Sequence, residues 1–126
     1  MPMRLARTST STVLIVDDQP EVRTVLRRLL ERTNIYATAE AGGAEEALEL
    51  LRINPPDAMI LDISMPQMSG ISVIPEVLSC APRTRILVMS SHDSMEKEIL
   101  ALGADAFLPK TASPKRVLAA LASVLA

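Results

Sequence analysis

Thr12-Val13-Leu14-Ile15-Val16 is a short, almost wholly apolar run that ends in Asp17-Asp18, and the same device recurs where Met59-Ile60-Leu61 ends in Asp62. A continuous apolar run of this length is the pattern of a strand covered on both faces, as in a parallel sheet. A carboxylate beside such a strand is expensive, by several kcal/mol, unless something pairs with it. Three acids brought together would repel, each pair by about 4 kcal/mol at ~4 Å with an effective dielectric of roughly 20. Only a bound cation or a chemical task makes such a cluster tolerable, so the ends of these runs mark a candidate site.

Outward from the two runs, the hydrophobic period switches between continuous or about 2 and about 3.6. Pro20, a natural first helical residue, opens a stripe of Val22, Val25, Leu26, Leu29 and Leu30. Ile35–Ala39 reads as a second strand. Gly42-Gly43 opens a helix with Ala44, Ala47, Leu48 and Leu51 on one face, which Asn54-Pro55-Pro56 stops. Ala58–Leu61 is the third strand and Ile86–Met89 the fourth. Between them Gly70–Ser79 is helical in pattern, and Pro75 inside it predicts a kink or a late start. Asp93 followed by Glu96 is a capping-box pattern for a helix running to about Leu102, which Gly103 ends. Ala106–Leu108 is the fifth strand. Ser113-Pro114 caps a last helix carrying Val117, Leu118, Leu121 and Leu125.

Five strands alternating with five helices predict an α/β fold, a doubly wound parallel sheet with helices on both faces. Ligands in such folds bind outside the carboxyl ends of the strands. Asp17, Asp18 and Asp62 lie at those ends, and so do Ser90 after the fourth strand and Lys110 after the fifth. The acids are expected to converge.

The chain has 126 residues, which suits one domain over 12–126 preceded by a loose polar arm over 1–11. A net charge of −2 without a basic stripe argues against direct nucleic-acid binding. The single cysteine, Cys80, excludes an internal disulfide and a thiolate metal cluster, and a reducing cytoplasm is the expected location. No apolar run approaches the length of a membrane span.

Leu14-Ile15-Val16-Asp17-Asp18, Ile60-Leu61-Asp62-Ile63-Ser64-Met65-Pro66, Met68-Ser69-Gly70, Ile86-Leu87-Val88-Met89-Ser90-Ser91 and Gly103-Ala104-Asp105-Ala106-Phe107-Leu108-Pro109-Lys110 together resemble the receiver domain of two-component response regulators. The likeness covers residues 12 to 126. Lys110-Thr111 and Ser90-Ser91-His92-Asp93 are similar to the NarL-type receivers, which precede a helix-turn-helix. The resemblance therefore leaves two expectations, a stand-alone receiver or a fragment of a longer regulator.

The resemblance implies a flavodoxin-like (βα)5 sheet of strand order 2-1-3-4-5. It implies that Asp62 accepts a phosphoryl group from a sensor histidine kinase or a histidine phosphotransfer protein. Asp17, Asp18, Asp62 and the Ser64 carbonyl would hold Mg²⁺ or Mn²⁺, while Ser90 and Lys110 would contact phosphoryl oxygens. Phe107 would turn inward as Ser90 moves, remodelling the surface of the fourth helix, fifth strand and fifth helix for a partner or a second copy of the chain. Apart from the resemblance, His92 reads as a solvent-exposed loop residue; the alternative expectation is that Ser64 and His92, each two residues past a site residue, flank the phosphate and control the hydrolytic water. Many receivers place proline after the lysine; here Thr111 predicts a trans bond.

A rival reading is a Mg²⁺-dependent phosphohydrolase that passes through an aspartyl phosphate. Such enzymes carry a second acid two residues after the nucleophile, where this chain has Ser64. An unphosphorylated interaction module on the same fold is the third reading, against which the intact acidic set argues.

Overall fold

Strand side chains alternate between the two faces of a sheet, so an apolar run is buried throughout only if both faces are covered. The computed structural model, which describes residues 10–64, 70–91 and 93–126, meets that requirement. The strands are β1 (Ser11–Val16), β2 (Tyr36–Ala41), β3 (Ala58–Asp62), β4 (Arg85–Ser90) and β5 (Ala106–Pro109), all parallel, in the order β2-β1-β3-β4-β5. Between and after them run α1 (Pro20–Glu31), α2 (Ala44–Ile53), α3 (Gly70–Cys80), α4 (Glu96–Ala101) and α5 (Pro114–Leu125).

Alternation sorts the core into two layers. Leu14, Val16, Met59, Leu61, Ile86 and Val88 pack with Leu48 and Leu51 of α2, Ile74 and Val77 of α3, and Ile99 of α4. Val13, Ile15, Ile60, Leu87 and Met89 pack on the other side with Leu26 and Leu30 of α1 and Val117 and Leu121 of α5. Every residue of the central strand β3 is buried. Each large aliphatic side chain so buried is worth about 1.5–3 kcal/mol, which ties the strand ends to a stiff frame.

The elements begin and end for local reasons. Gln19 is the residue before α1, so neither Asp17 nor Asp18 is consumed as its cap. Asn34 turns the chain from α1 to β2 at φ 61°, a conformation that asparagine tolerates. Ser113 accepts the Arg116 backbone N–H at 3.2 Å and so caps α5. No cis peptide bond occurs among the described residues, and Lys110-Thr111 is trans as expected.

Gly103 ends the α4 segment at φ 119°, and a Cβ placed there would lie 2.6 Å from Leu78 Cδ1. Gly103→Ala is therefore expected to destabilise the chain by about 1 kcal/mol or more. An unchanged urea midpoint would contradict the strain argument.

β3, β4 and β5 extend one residue beyond the expected ends, and other parts of the sequence reading differ more. β1 starts at Ser11, inside the expected arm, because Ser11 pairs with Tyr36. β2 starts one residue later than expected and continues through Glu40 to Ala41; ion pairs with Arg23 and Arg27 make a carboxylate tolerable there. Of the kink or late start expected at Pro75, the late start does not occur: α3 runs from Gly70 through Pro75, which is exposed while Val73, Ile74 and Val77 keep the buried face. α4 itself begins later than the helix start expected at Asp93: a 3-10 turn spans Asp93–Met95, and Met95 is the residue before α4, without a side-chain cap bond of its own. That tight turn supplies the entry to the helix. His92, the Met65-Pro66 turn and residues 1–9 of the expected arm lie outside the described residues.

Candidate functional site

Register brings the acids together. Val16 stands level with Leu61, so Asp17 comes level with Asp62 one residue on. Asp62 in turn pairs with Met89, and Ser90 with Pro109, which sets Ser90 and Lys110 on the same rim. Carboxylate oxygens of Asp17, Asp18 and Asp62 lie within 4.8 Å of one another. Asp17 and Asp62 are only 2% and 3% exposed, while Asp18 faces solvent.

The Lys110 ammonium sits between the buried pair, 3.0 Å from Asp17 Oδ2 and 2.9 Å from Asp62 Oδ2. The other oxygens are held by backbone: Asp17 Oδ1 accepts the Gln19 N–H at 2.9 Å and Asp62 Oδ1 accepts the Ser64 N–H at 2.8 Å. One ammonium against two buried carboxylates leaves surplus negative charge, and Asp18 adds to it. An all-oxygen donor set with that surplus suits a hard divalent cation. The residues present fit such an ion.

Burial pulls the Lys110 ammonium down, but hydrogen bonds to Asp62 and Asp17 and their negative charges outweigh it and raise the group above its usual 10.5. Burial likewise raises the Tyr36 phenol above 10.0. Both groups hold their protons more tightly in the folded chain. Their contributions to stability are complete below about pH 10 and are lost as pH rises through their folded values. Urea midpoints are expected to fall above about pH 10, with Tyr36→Phe and Lys110→Met each removing part of the fall. An alkaline limb that neither variant alters would refute this origin.

Ser90 is buried, 3% exposed, and its carbonyl accepts the Lys110 backbone N–H at 2.9 Å. Strand alternation gives Ser90 the same face as Val88, beside which Phe107 is registered, half-buried against the α2–α4 layer. Asp17, Asp62 and Lys110 share the opposite parity, so the aligned pair of Ser90 and Phe107 occupies the other side of the rim from the lysine. Ser64 is exposed, and its hydroxyl accepts the Ser91 N–H at 3.1 Å, tying the loop after β3 to the loop after β4. Ser91, which stands only as part of the motifs quoted above, and Arg23, whose guanidinium reaches the Asp17 carbonyl, receive no role from sequence. A hydroxyl next to Ser90 and a helical arginine carry no distinguishing pattern until the loops are placed.

Residues 13–122 match the family model described as the response regulator receiver domain. Response regulator MprA of Mycobacterium sp. strain KMS is 37% identical over 115 residues, covering 90% of this chain and 50% of that protein. This chain thus spans about half the length of the curated relatives it matches. Among solved structures, the signal receiver domain of the response regulator NarL from Mycobacterium tuberculosis superposes with a TM-score of 0.84 at 31% identity, over 93% of this chain and 97% of that one. A response regulator from Burkholderia pseudomallei, solved with a phosphorylated aspartic acid, a calcium ion and citrate, gives a TM-score of 0.81 at 32% identity, over 88% of this chain and 66% of that one. With the strand order and the acidic rim already in place, these likenesses make the chain a member of the response regulator receiver domain family, a signalling domain of two-component systems.

Proposed function

We propose that Asp62 is the phosphoacceptor of this chain, charged from a phosphohistidine on a sensor kinase or phosphotransfer protein. The observation that carries the reading is the trio of Asp17, Asp18 and Asp62 oxygens within 4.8 Å, with Lys110 Nζ 2.9 Å from Asp62 Oδ2. The phosphorylated aspartic acid and calcium ion of the Burkholderia pseudomallei relative support extending this chemistry here.

In the transfer an Asp62 oxygen forms a new bond to phosphorus as the phosphorus–nitrogen bond of the donor breaks, and the imidazole leaves. Asp17, Asp18, Asp62 and the Ser64 carbonyl would hold Mg²⁺, which neutralises charge in the loose transition state of phosphoryl transfer. Lys110 is a point charge on a flexible stem, able to exchange its contact with Asp62 Oδ2 for a phosphoryl oxygen. Asp17 keeps that lysine in place. Beside Asp62 and Lys110 a cavity of about 320 Å³ opens between α1 and α5, walled by Val22, Leu26 and Val117, with room for a donor side chain.

Ser90 is the neutral donor that distinguishes a phosphorylated Asp62 from a bare one. Its inward movement leaves space that Phe107 takes up, so the surface of α4, β5 and α5 changes for a partner or a second copy. A shift of this kind needs contacts made in one state and not the other, and a charge-assisted hydrogen bond with the lysine pair supplies a few kcal/mol. Ser64 and His92 would govern access of the hydrolytic water. On this reading residues 12–126 are the receiver unit. No described helix is long and apolar enough to cross a membrane.

The test is mass detection of a single added phosphoryl group after incubation with a small phosphodonor and Mg²⁺. Stoichiometric labelling without turnover supports the reading. Sustained hydrolysis of a generic phosphate ester would instead establish a phosphohydrolase.

A further inference from the structure

Arg23 is in the first turn of α1, and its side chain runs back over the corner where the chain leaves β1. Its Nη1 donates to the Asp17 carbonyl at 2.5 Å, while its Nε lies 3.1 Å from Glu40 Oε1 on β2. Arg27 Nε lies 3.3 Å from Glu40 Oε2, an ion pair without a hydrogen bond. The Arg23 side chain is only 19% exposed. At the same corner the Asp17 N–H donates to the Ala41 carbonyl at 3.1 Å, and the Asp17 carboxylate takes up the Gln19 N–H and Lys110. With Arg23 added, both backbone groups and both carboxylate oxygens of Asp17 are engaged.

The geometry points to Arg23 as the positioning residue of the acidic rim, fixing the Asp17-Asp18 corner in the conformation that a divalent cation requires. This inference rests on reading the rim as a Mg²⁺ site. Mg²⁺ demands near-ideal placement of its oxygens, so a corner free to rotate costs affinity. Groups behind the ligands typically change metal affinity by about 10–100-fold. Arg23 reaches no carboxylate of the trio in this arrangement; its charge is matched by Glu40, which keeps it from competing with the ion. The planar fork also lets one side chain hold a carbonyl and a carboxylate at once, which an ammonium does less well.

Calorimetric titration with Mg²⁺ separates the possibilities. Arg23→Gln is expected to weaken Mg²⁺ binding about tenfold or more, and Arg23→Lys to fall between it and the parent. Arg27→Gln, which touches Glu40 but not Asp17, is expected to bind as the parent does. A folded Arg23→Gln with parental affinity overturns the inference, as does a lowered melting temperature of the Mg²⁺-free variant with no change in affinity. An Arg27→Gln defect equal to that of Arg23→Gln overturns it too, since the ionic cluster as a whole would then be responsible. If Arg23→Gln does not fold, Arg23→Lys decides, parental affinity counting against. Failure of the parent chain to bind Mg²⁺ would overturn the reading of the rim itself, a different outcome from any of these.

Discussion

Asp62→Asn is expected to abolish phosphoryl incorporation from a small phosphodonor while leaving the chain folded. Asparagine keeps the shape of the side chain and an oxygen able to accept the Ser64 N–H, now 2.8 Å from Asp62 Oδ1. It lacks the anionic oxygen that, on the proposed function, would attack phosphorus, and no neighbour can substitute: Asp17 is committed to Lys110 and Gln19, and Asp18 faces solvent. Removing one of two buried carboxylates also relieves repulsion of about 4 kcal/mol at ~4 Å and a dielectric of roughly 20, part of which Lys110 already offsets. The variant is therefore expected to be at least as resistant to urea as the parent. Intact-protein mass and a urea melt check both halves. A label that survives in Asp62→Asn would place the phosphoacceptor elsewhere.

Lys110→Met has the opposite effect on stability. It leaves Asp17 and Asp62, 2% and 3% exposed, without the cation that lies 3.0 and 2.9 Å from them. Breaking a buried pair by deleting one partner costs about 3–5 kcal/mol, and the lower end applies here because the lysine side chain is 22% exposed. Paired urea melts of variant and parent near neutral pH would show the deficit. A variant as resistant to urea as the parent would mean that the lysine does not hold the two carboxylates together. The labelling rate of the variant is expected to drop about 100-fold, the usual size for losing one preorganised charge at a transferring group.

Much of this was legible from residues 12 to 126 alone because the signals are local and mutually reinforcing. Val13–Val16 and Ala58–Leu61 announce doubly covered strands, Pro20 and Ser113-Pro114 announce helix starts, and Gly103 a stop, all through short-range sterics and hydrogen bonding. Where the reading slipped, a longer-range interaction had intervened. Glu40 lies inside β2 because Arg23 and Arg27 come from another element to neutralise it. Pro75 does not delay α3 because the burial of Val73, Ile74 and Val77 outweighs one forfeited hydrogen bond. Nothing near Asp93 in sequence foretold the 3-10 turn that leads into α4.

The candidate site divides along the same line. Its residue types and their places at strand ends follow from sequence, since apolar runs define the ends and alternation of strand and helix puts all the ends on one rim. Which groups touch was decided only by tertiary structure. The level register of Asp17 with Asp62, the lysine reaching both from 93 and 48 positions away, and the arginine closing over the Asp17 carbonyl all depend on strand pairing and helix packing. The physical reason is range: hydrophobic period and turn chemistry act over a few residues, whereas Coulombic pairing acts over ångströms of space, whatever the separation along the chain.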